Sequence, residues 1–270
     1  MDPAHASLRN RELDESLRLP GSASSAGRTF AARLEPFDSY WQGDRNLETG
    51  YDRFERYYRA NYLPRLPRNL DSRIAVLSCG PGYLVNMLIK AGYRQVVGID
   101  ANADFVRHAT DRGLPCHVDR PFEFLEDHPQ TFDMIIPEQE LNHLSLEETI
   151  EFLQLCGGSL RPGGQVLVYA INGANPLTSP EHLSHNIDHF YSVTEYSLRQ
   201  LLELGHFTDI QPFACRLYVF WNRPENYVGW LATRTFETTV RLMMKLYGKK
   251  ISILSKRIAA VATITTATGL

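Results

Sequence analysis

The sequence predicts a three-layer α/β sandwich, a mostly parallel sheet held between two layers of helices. Two observations predict it. Short apolar runs at 74–77, 95–99, 132–136 and 165–170 alternate with stretches of helical periodicity, at the spacing of βαβ units. The turn Cys79-Gly-Pro-Gly82 follows the first run, where a backbone must reverse sharply into a helix and approach a ligand closely. The 270 residues fit one large domain or two small ones, and 43% hydrophobic with 22% charged residues excludes a chain disordered throughout.

Taken in order, residues 1–35 read as a flexible segment, with Gly21-Ser-Ala-Ser-Ser-Ala-Gly27 as a linker. Order is expected to begin at the aromatic cluster Phe37, Tyr40 and Trp41. A helix follows over 51–62, with Phe54, Tyr57, Tyr58 and Tyr62 at three- to four-residue steps. The strand at 74–77 and a helix at 84–91 come next. The second strand, 95–99, ends in Asp100, a helix spans 104–112, and 116–118 is a weak third strand. Residues 132–136 form the fourth strand. Ser145 and Glu148 suit a capping box for a helix over 146–156. The turn Arg161-Pro-Gly-Gly164 introduces the fifth strand, a helix covers 193–204, and 210–220 suits a hairpin or pair of strands. Residues 226–247 read as a long amphipathic helix and 251–261 as a second, short amphipathic stretch. The expected organisation is a flexible segment at 1–35, one domain at 36–220 and a basic helical extension at 221–270.

Net charge is −3, from 28 Lys+Arg against 31 Asp+Glu, so no global basic field points to nucleic acid. The charge is unevenly spread. Residues 216–257 hold nine Lys/Arg against two Asp/Glu, a net of +7, which leaves −10 on the rest. The cysteines Cys79, Cys116, Cys156 and Cys215 lie far apart and suit reduced thiols rather than a zinc knot or disulfide framework. The first twenty residues lack the apolar core of a secretory signal, and no run has the ~20 apolar residues of a membrane span. A cytoplasmic location is expected.

The strongest chemical signal is Ile74-Ala-Val-Leu-Ser-Cys-Gly-Pro-Gly-Tyr83 with Asp100 at the tip of the next strand, where a carboxylate can accept from both hydroxyls of a ribose. A dinucleotide fingerprint would place Gly or Ala at position 85, which holds Val85. The C-G-x-G form resembles the class I S-adenosylmethionine-dependent methyltransferases, over about residues 73–213. Further segments match that family in order: Thr131-Phe-Asp-Met-Ile-Ile136, Glu140-Leu-Asn-His-Leu144, Leu160-Arg-Pro-Gly-Gly-Gln-Val-Leu-Val168 and Leu198-Arg-Gln-Leu-Leu-Glu-Leu-Gly-His-Phe207. The resemblance implies a Rossmann-like, seven-stranded sheet with one late antiparallel strand, a helical N-terminal lid, and S-adenosyl-L-methionine as cofactor. It implies that Ser78, Gly80, Gly82, Asp100, Ala101, Asp119 and Glu138 line the cofactor site. The family motif usually carries an acidic residue two positions before its first glycine; here Val76 and Ser78 stand in that region.

Methyl transfer to a hydroxyl needs alignment and a base within hydrogen-bond reach. His143 follows the fourth strand. His182-Leu-Ser-His-Asn-Ile-Asp-His189 follows the fifth, so His143, His189 and Asp188 are the candidate catalytic residues. His182, His185 and His189 have ligand chemistry, but no matching carboxylate pattern stands out, so no metal is expected. The segment Asp188-His-Phe-Tyr-Ser-Val-Thr-Glu-Tyr-Ser-Leu198 and the basic tail are weakly similar to methyltransferase-domain proteins of surface-polysaccharide biosynthesis. The function expected is O-methylation of a sugar, glycan intermediate or other small metabolite. Small-molecule N-methylation and a non-catalytic binding protein stay open as alternatives. The expected partner is a small-molecule or glycan acceptor and no nucleic acid. The amphipathic tail has three fates: packing on the domain, peripheral contact with an anionic membrane, or a homodimer interface.

Overall fold

The computed structural model describes residues 47–217 and 224–265. The expected flexible segment 1–35, the cluster Phe37, Tyr40 and Trp41, and the 218–220 end of the expected hairpin lie outside the described residues.

Helix α1 (Leu47–Asn61) buries Tyr51, Phe54 and Tyr58, the inward stripe of its 3.6-residue period. Next come β1 (Arg73–Leu77), α2 (Tyr83–Lys90), β2 (Gln95–Asp100), α3 (Ala103–Asp111), β3 (Cys116–Val118), α4 (Pro121–Asp127) and β4 (Phe132–Pro137). The second half contains α5 (Leu146–Ser159), β5 (Leu160–Ile171), α6 (Ser179–His185), α7 (Glu195–Leu204), β6 (Phe207–Ala214), α8 (Pro224–Leu246) and β7 (Arg257–Ile264). The caps follow the sequence: Ser145 and Glu148 close a reciprocal capping box on α5, and Thr194 caps α7.

One seven-stranded sheet runs in the order β3-β2-β1-β4-β5-β7-β6. The strands β1 to β5 pair in parallel, and β7 is antiparallel to both neighbours. The strand order reverses between β1 and β4. In an open α/β sheet such a reversal marks the usual ligand position, outside the strand carboxyl ends. Central strands are buried on both faces: Ile74, Ala75, Val76, Ile135 and Ile136 are fully enclosed.

The structure corrects two expectations for the last third of the chain. Residues 251–261 read as an amphipathic stretch of a helical extension, yet Arg257–Ile264 is a strand inserted between β5 and β6. Both its faces are covered, with Ile258, Ala259, Ala260 and Ala262 fully buried, so it lacks the polar–apolar alternation that marks a half-buried strand. Its alanines also favour helix over strand when judged alone. The 210–220 stretch forms no hairpin among the described residues: β6 pairs with β7, some fifty residues later.

Candidate active site

Three strand ends build the first half of the site. After β1 the chain turns through Ser78, Gly80 and Gly82 with φ of 51°, 52° and 80°, the left-handed region where glycine is at ease. A Cβ on Gly82 would also lie 2.9 Å from Leu114 Cδ1. The Gly80 N–H donates to Asp100 Oδ2 at 2.7 Å, and the Asn102 N–H to Asp100 Oδ1 at 2.8 Å. Burial raises the Asp100 carboxyl pKa, and these two N–H groups oppose the rise. Ala101 continues the strand end, half-buried. Exposed Asp119, just past β3, donates its N–H to the Asp100 carbonyl at 3.1 Å, while its carboxylate accepts the Arg120 N–H at 2.8 Å.

Glu138 directly follows β4 and donates its N–H to the Leu77 carbonyl at 2.8 Å, which sets it beside the glycine turn. Its Oε2 accepts the Tyr58 hydroxyl of α1, whereas Oε1 is buried with no hydrogen bond. Burial pushes this carboxyl up to about 7, against the Tyr58 hydrogen bond and the charge of Arg257. The Ser78 hydroxyl donates to Gln139 Oε1 at 3.3 Å. Helix α1 roofs the turn: the Tyr51 hydroxyl donates to the Pro81 carbonyl at 2.6 Å, and Tyr83 donates back to the Leu47 carbonyl at 2.8 Å.

The second half lies after β4 and β5. A cavity of about 400 Å³ is lined by Tyr57, Glu140, His143, His182, His189 and Arg257 among others. His143 closes a 3-10 turn (Leu141–His143), and its Nδ1 lies 2.9 Å from Asp188 Oδ2. That hydrogen bond, working against burial, holds the Asp188 carboxyl below its ordinary range. His189 Nδ1 lies 2.5 Å from the His182 carbonyl, and burial lowers its pKa. Glu140 is enclosed and paired with Arg257, with His182 Nε2 at 3.4 Å from its other oxygen. Burial alone would raise the Glu140 carboxyl; Arg257, His182 and His143 outweigh it and hold the group well below the carboxylate range.

The expected residues therefore fall into two groups. Ser78, Gly80, Gly82, Asp100, Ala101 and Glu138 gather at the ends of β1, β2 and β4, with Asp119 at the rim. His143, Asp188 and His189 gather in the cavity, where the two imidazole rings lie 4.5 Å apart. Sequence reasoning missed Glu140, Tyr58 and Arg257. Glu140 stands three residues before His143, a spacing that puts both on one short turn; Arg257 carries no local signal.

Residues 74–164 match the family profile described as "Methyltransferase domain". The chain is 25% identical over 185 residues to a trans-aconitate 2-methyltransferase of Rhodopseudomonas palustris, covering 62% of this chain and 66% of the relative. It is 28% identical over 131 residues to the human mitochondrial ubiquinone biosynthesis O-methyltransferase, covering 43% and 35%. The chain thus spans about two thirds of the first relative's length and about one third of the second's. In fold it resembles a SAM-dependent methyltransferase from Archaeoglobus fulgidus, with a TM-score of 0.60 at 19% identity, covering 84% of this chain and all of that one. The sheet order and the glycine turn define an open α/β nucleoside-cofactor fold. Within that class, residues 74–164 match a methyltransferase domain, and the chain is similar in sequence and fold to S-adenosylmethionine-dependent methyltransferases.

The residues present fit the family's cofactor. Each Asp100 oxygen accepts a single N–H and keeps a lone pair for a ribose hydroxyl. The unpartnered Glu138 Oε1 is a buried acceptor suited to the cationic amino-acid end.

Proposed function

We propose that the chain transfers the methyl group of S-adenosylmethionine to a hydroxyl of a small polar acceptor, a sugar or another metabolite. The observation that carries this reading is the buried His143–Asp188 pair on the cavity beyond β4. Asp188 accepts from Nδ1–H, so the lone pair of His143 lies on Nε2, ready to take the proton of an acceptor hydroxyl. When bound, S-adenosylmethionine supplies a methyl carbon already activated by its sulfonium. The protein's share is to align the acceptor and remove one proton. Asp100 holds the ribose in this reading, and Glu138 stands in for the carboxylate that Val76 and Ser78 do not provide. The human relative's name, an O-methyltransferase, agrees with a hydroxyl acceptor.

Calorimetric titration with S-adenosylmethionine, followed by labelled-methyl transfer to panels of hydroxyl and amine acceptors, tests the reading. Binding and hydroxyl methylation are expected. His143→Ala should lower turnover about 100-fold or more while changing cofactor affinity less than about threefold. Absence of cofactor binding, or transfer confined to amines, overturns the reading.

A further inference from the structure

Glu140, His143 and His189 come from two separate stretches of chain, the turn after β4 and the loop after α6. One donor atom from each lies within 4.8 Å of the others. Ligands of a single tetrahedral ion sit roughly 3.3 Å apart, so a bound ion would draw these side chains in by an ångström or so.

Both rings are already oriented as metal-bound imidazoles are. His143 gives its Nδ1 proton to the Asp188 carboxylate and His189 gives its Nδ1 proton to the His182 carbonyl; neither acceptor has a proton to offer. That places the lone pairs on Nε2 of both residues, with the outer partners that fix tautomer and ring angle in histidine metal sites; the His189 Nε2 lies 3.4 Å from Asn186 Nδ2, a contact that a bound ion would replace. Glu140 is 4% exposed and ionised by its pairing with Arg257, yet neither of its oxygens accepts a hydrogen bond of good geometry. Asp188 Oδ1 and His182 Nε2 are likewise buried without one. Arg257 already stands beside Glu140, yet Asp188 Oδ1 and His182 Nε2 stay enclosed without a hydrogen bond, a costly arrangement that a further partner in the cluster would relieve.

We propose that Glu140, His143 and His189 bind one divalent first-row metal ion, Zn²⁺ by ligand type, with a coordination position open to the cavity. Two nitrogens and one carboxylate oxygen form the three-ligand set of catalytic rather than structural zinc. Because the open position faces the cavity, it would take the oxygen of the acceptor. This last point rests on the methyltransfer reading; metal binding itself does not. In the metal-bound chain the ion's charge acidifies the hydroxyl, whose proton leaves to water. In the metal-free chain His143 Nε2 is the base described above.

The full chain, stripped with a chelator and dialysed, is titrated with ZnSO₄ and then with CoCl₂. The expected result is one ion per chain at micromolar affinity or tighter, and a visible cobalt d–d band of low-symmetry coordination. Glu140→Gln and His189→Ala should each weaken binding at least tenfold, and Asp188→Asn less, with thermal melts confirming that each variant is folded. His185→Ala is the control: its ring is exposed, pairs with Glu181 and lies outside the ligand set. Absence of stoichiometric binding, or a loss with His185→Ala equal to that with His189→Ala, overturns the proposal. Metal binding without methyl transfer would sustain this inference and sink the proposed function; chelator-resistant transfer without metal binding would do the reverse.

Discussion

Position 78 holds a serine where the resembled motif holds an acid, and the strand beside it is followed directly by Glu138, whose carboxylate is buried and half unpartnered. A charge-assisted hydrogen bond is worth about 1.5–3 kcal/mol, so Glu138→Gln should weaken S-adenosylmethionine binding by roughly 10- to 100-fold at pH 8. Tyr58→Phe, which removes only the donor to Oε2, should change it far less. Calorimetry on the two variants decides, and equal affinities would reduce Glu138 to a structural role. The thiols carry a separate prediction. Burial raises Cys215 from 9.0 to about 11, and its hydrogen bond with Cys116 together with burial holds Cys79 well above its ordinary value. A thiol with a raised native pKa contributes stability in full below its unfolded value and loses it as pH climbs through the native one. For Cys215 this rise corresponds to about 3 kcal/mol. The denaturant midpoint should therefore fall between pH 8 and 10.5, and Cys215→Ala should shrink that fall. Asp100 and the glycines were legible in the sequence because their chemistry is local: a turn, then a strand tip. The Glu140–Arg257 pair was not, since its partners are joined only by the return of β7.

Among the elements, strands flanked by turn chemistry were legible and β7, buried along its middle on both faces, was not. The registers show why the sheet tolerates so little change near the site. Gly98 of β2 faces β3 and the α2 helix, and a Cβ there would lie 2.7 Å from Cys116 Sγ, 2.9 Å from Cys79 Sγ and 2.9 Å from Val85 Cγ2. Three sides are closed, and overpacking of such a position costs about 1–3 kcal/mol. Gly98→Ala should lower the Tm by about 3–10 °C in a calorimetric scan. An unchanged Tm would mean that the Cys116 and Cys79 side chains turn aside freely and that the strand–helix contact is not tight. The roof helix α1 is a different kind of element. Its aromatic stripe was plain in sequence, but the stripe alone could not tell which surface it covers. Hydroxyls of Tyr51 and Tyr58 reach the Pro81 carbonyl and Glu138, so this helix is pinned to the cofactor side of the sheet by polar atoms as well as apolar area.

At the scale of the molecule, the uneven charge acquires a location. The basic segment 216–257 contains α8, and no described helix is long and apolar enough to cross a membrane. Packing on the domain was one expected fate for that helix, yet only Val240 of α8 is buried. Leu242 and Met243 are exposed, Leu246 and Tyr247 are about 80% exposed, and Lys245, Lys249 and Lys250 stand among them. An apolar strip interleaved with lysines matches an anionic bilayer surface, where each cation contributes about 1 kcal/mol and the apolar side chains sink below the headgroups. The expected outcome is co-sedimentation with vesicles containing phosphatidylserine at low salt and release at 0.5 M NaCl, where the Debye length shrinks to a few ångströms. Leu242→Ser with Leu246→Ser should weaken binding without lowering the Tm, because neither side chain is buried. Vesicles lacking anionic lipid should bind poorly. If the anionic vesicles also fail while sedimentation equilibrium gives twice the chain mass, the same strip joins two copies instead, and the charge segregation serves pairing rather than a surface.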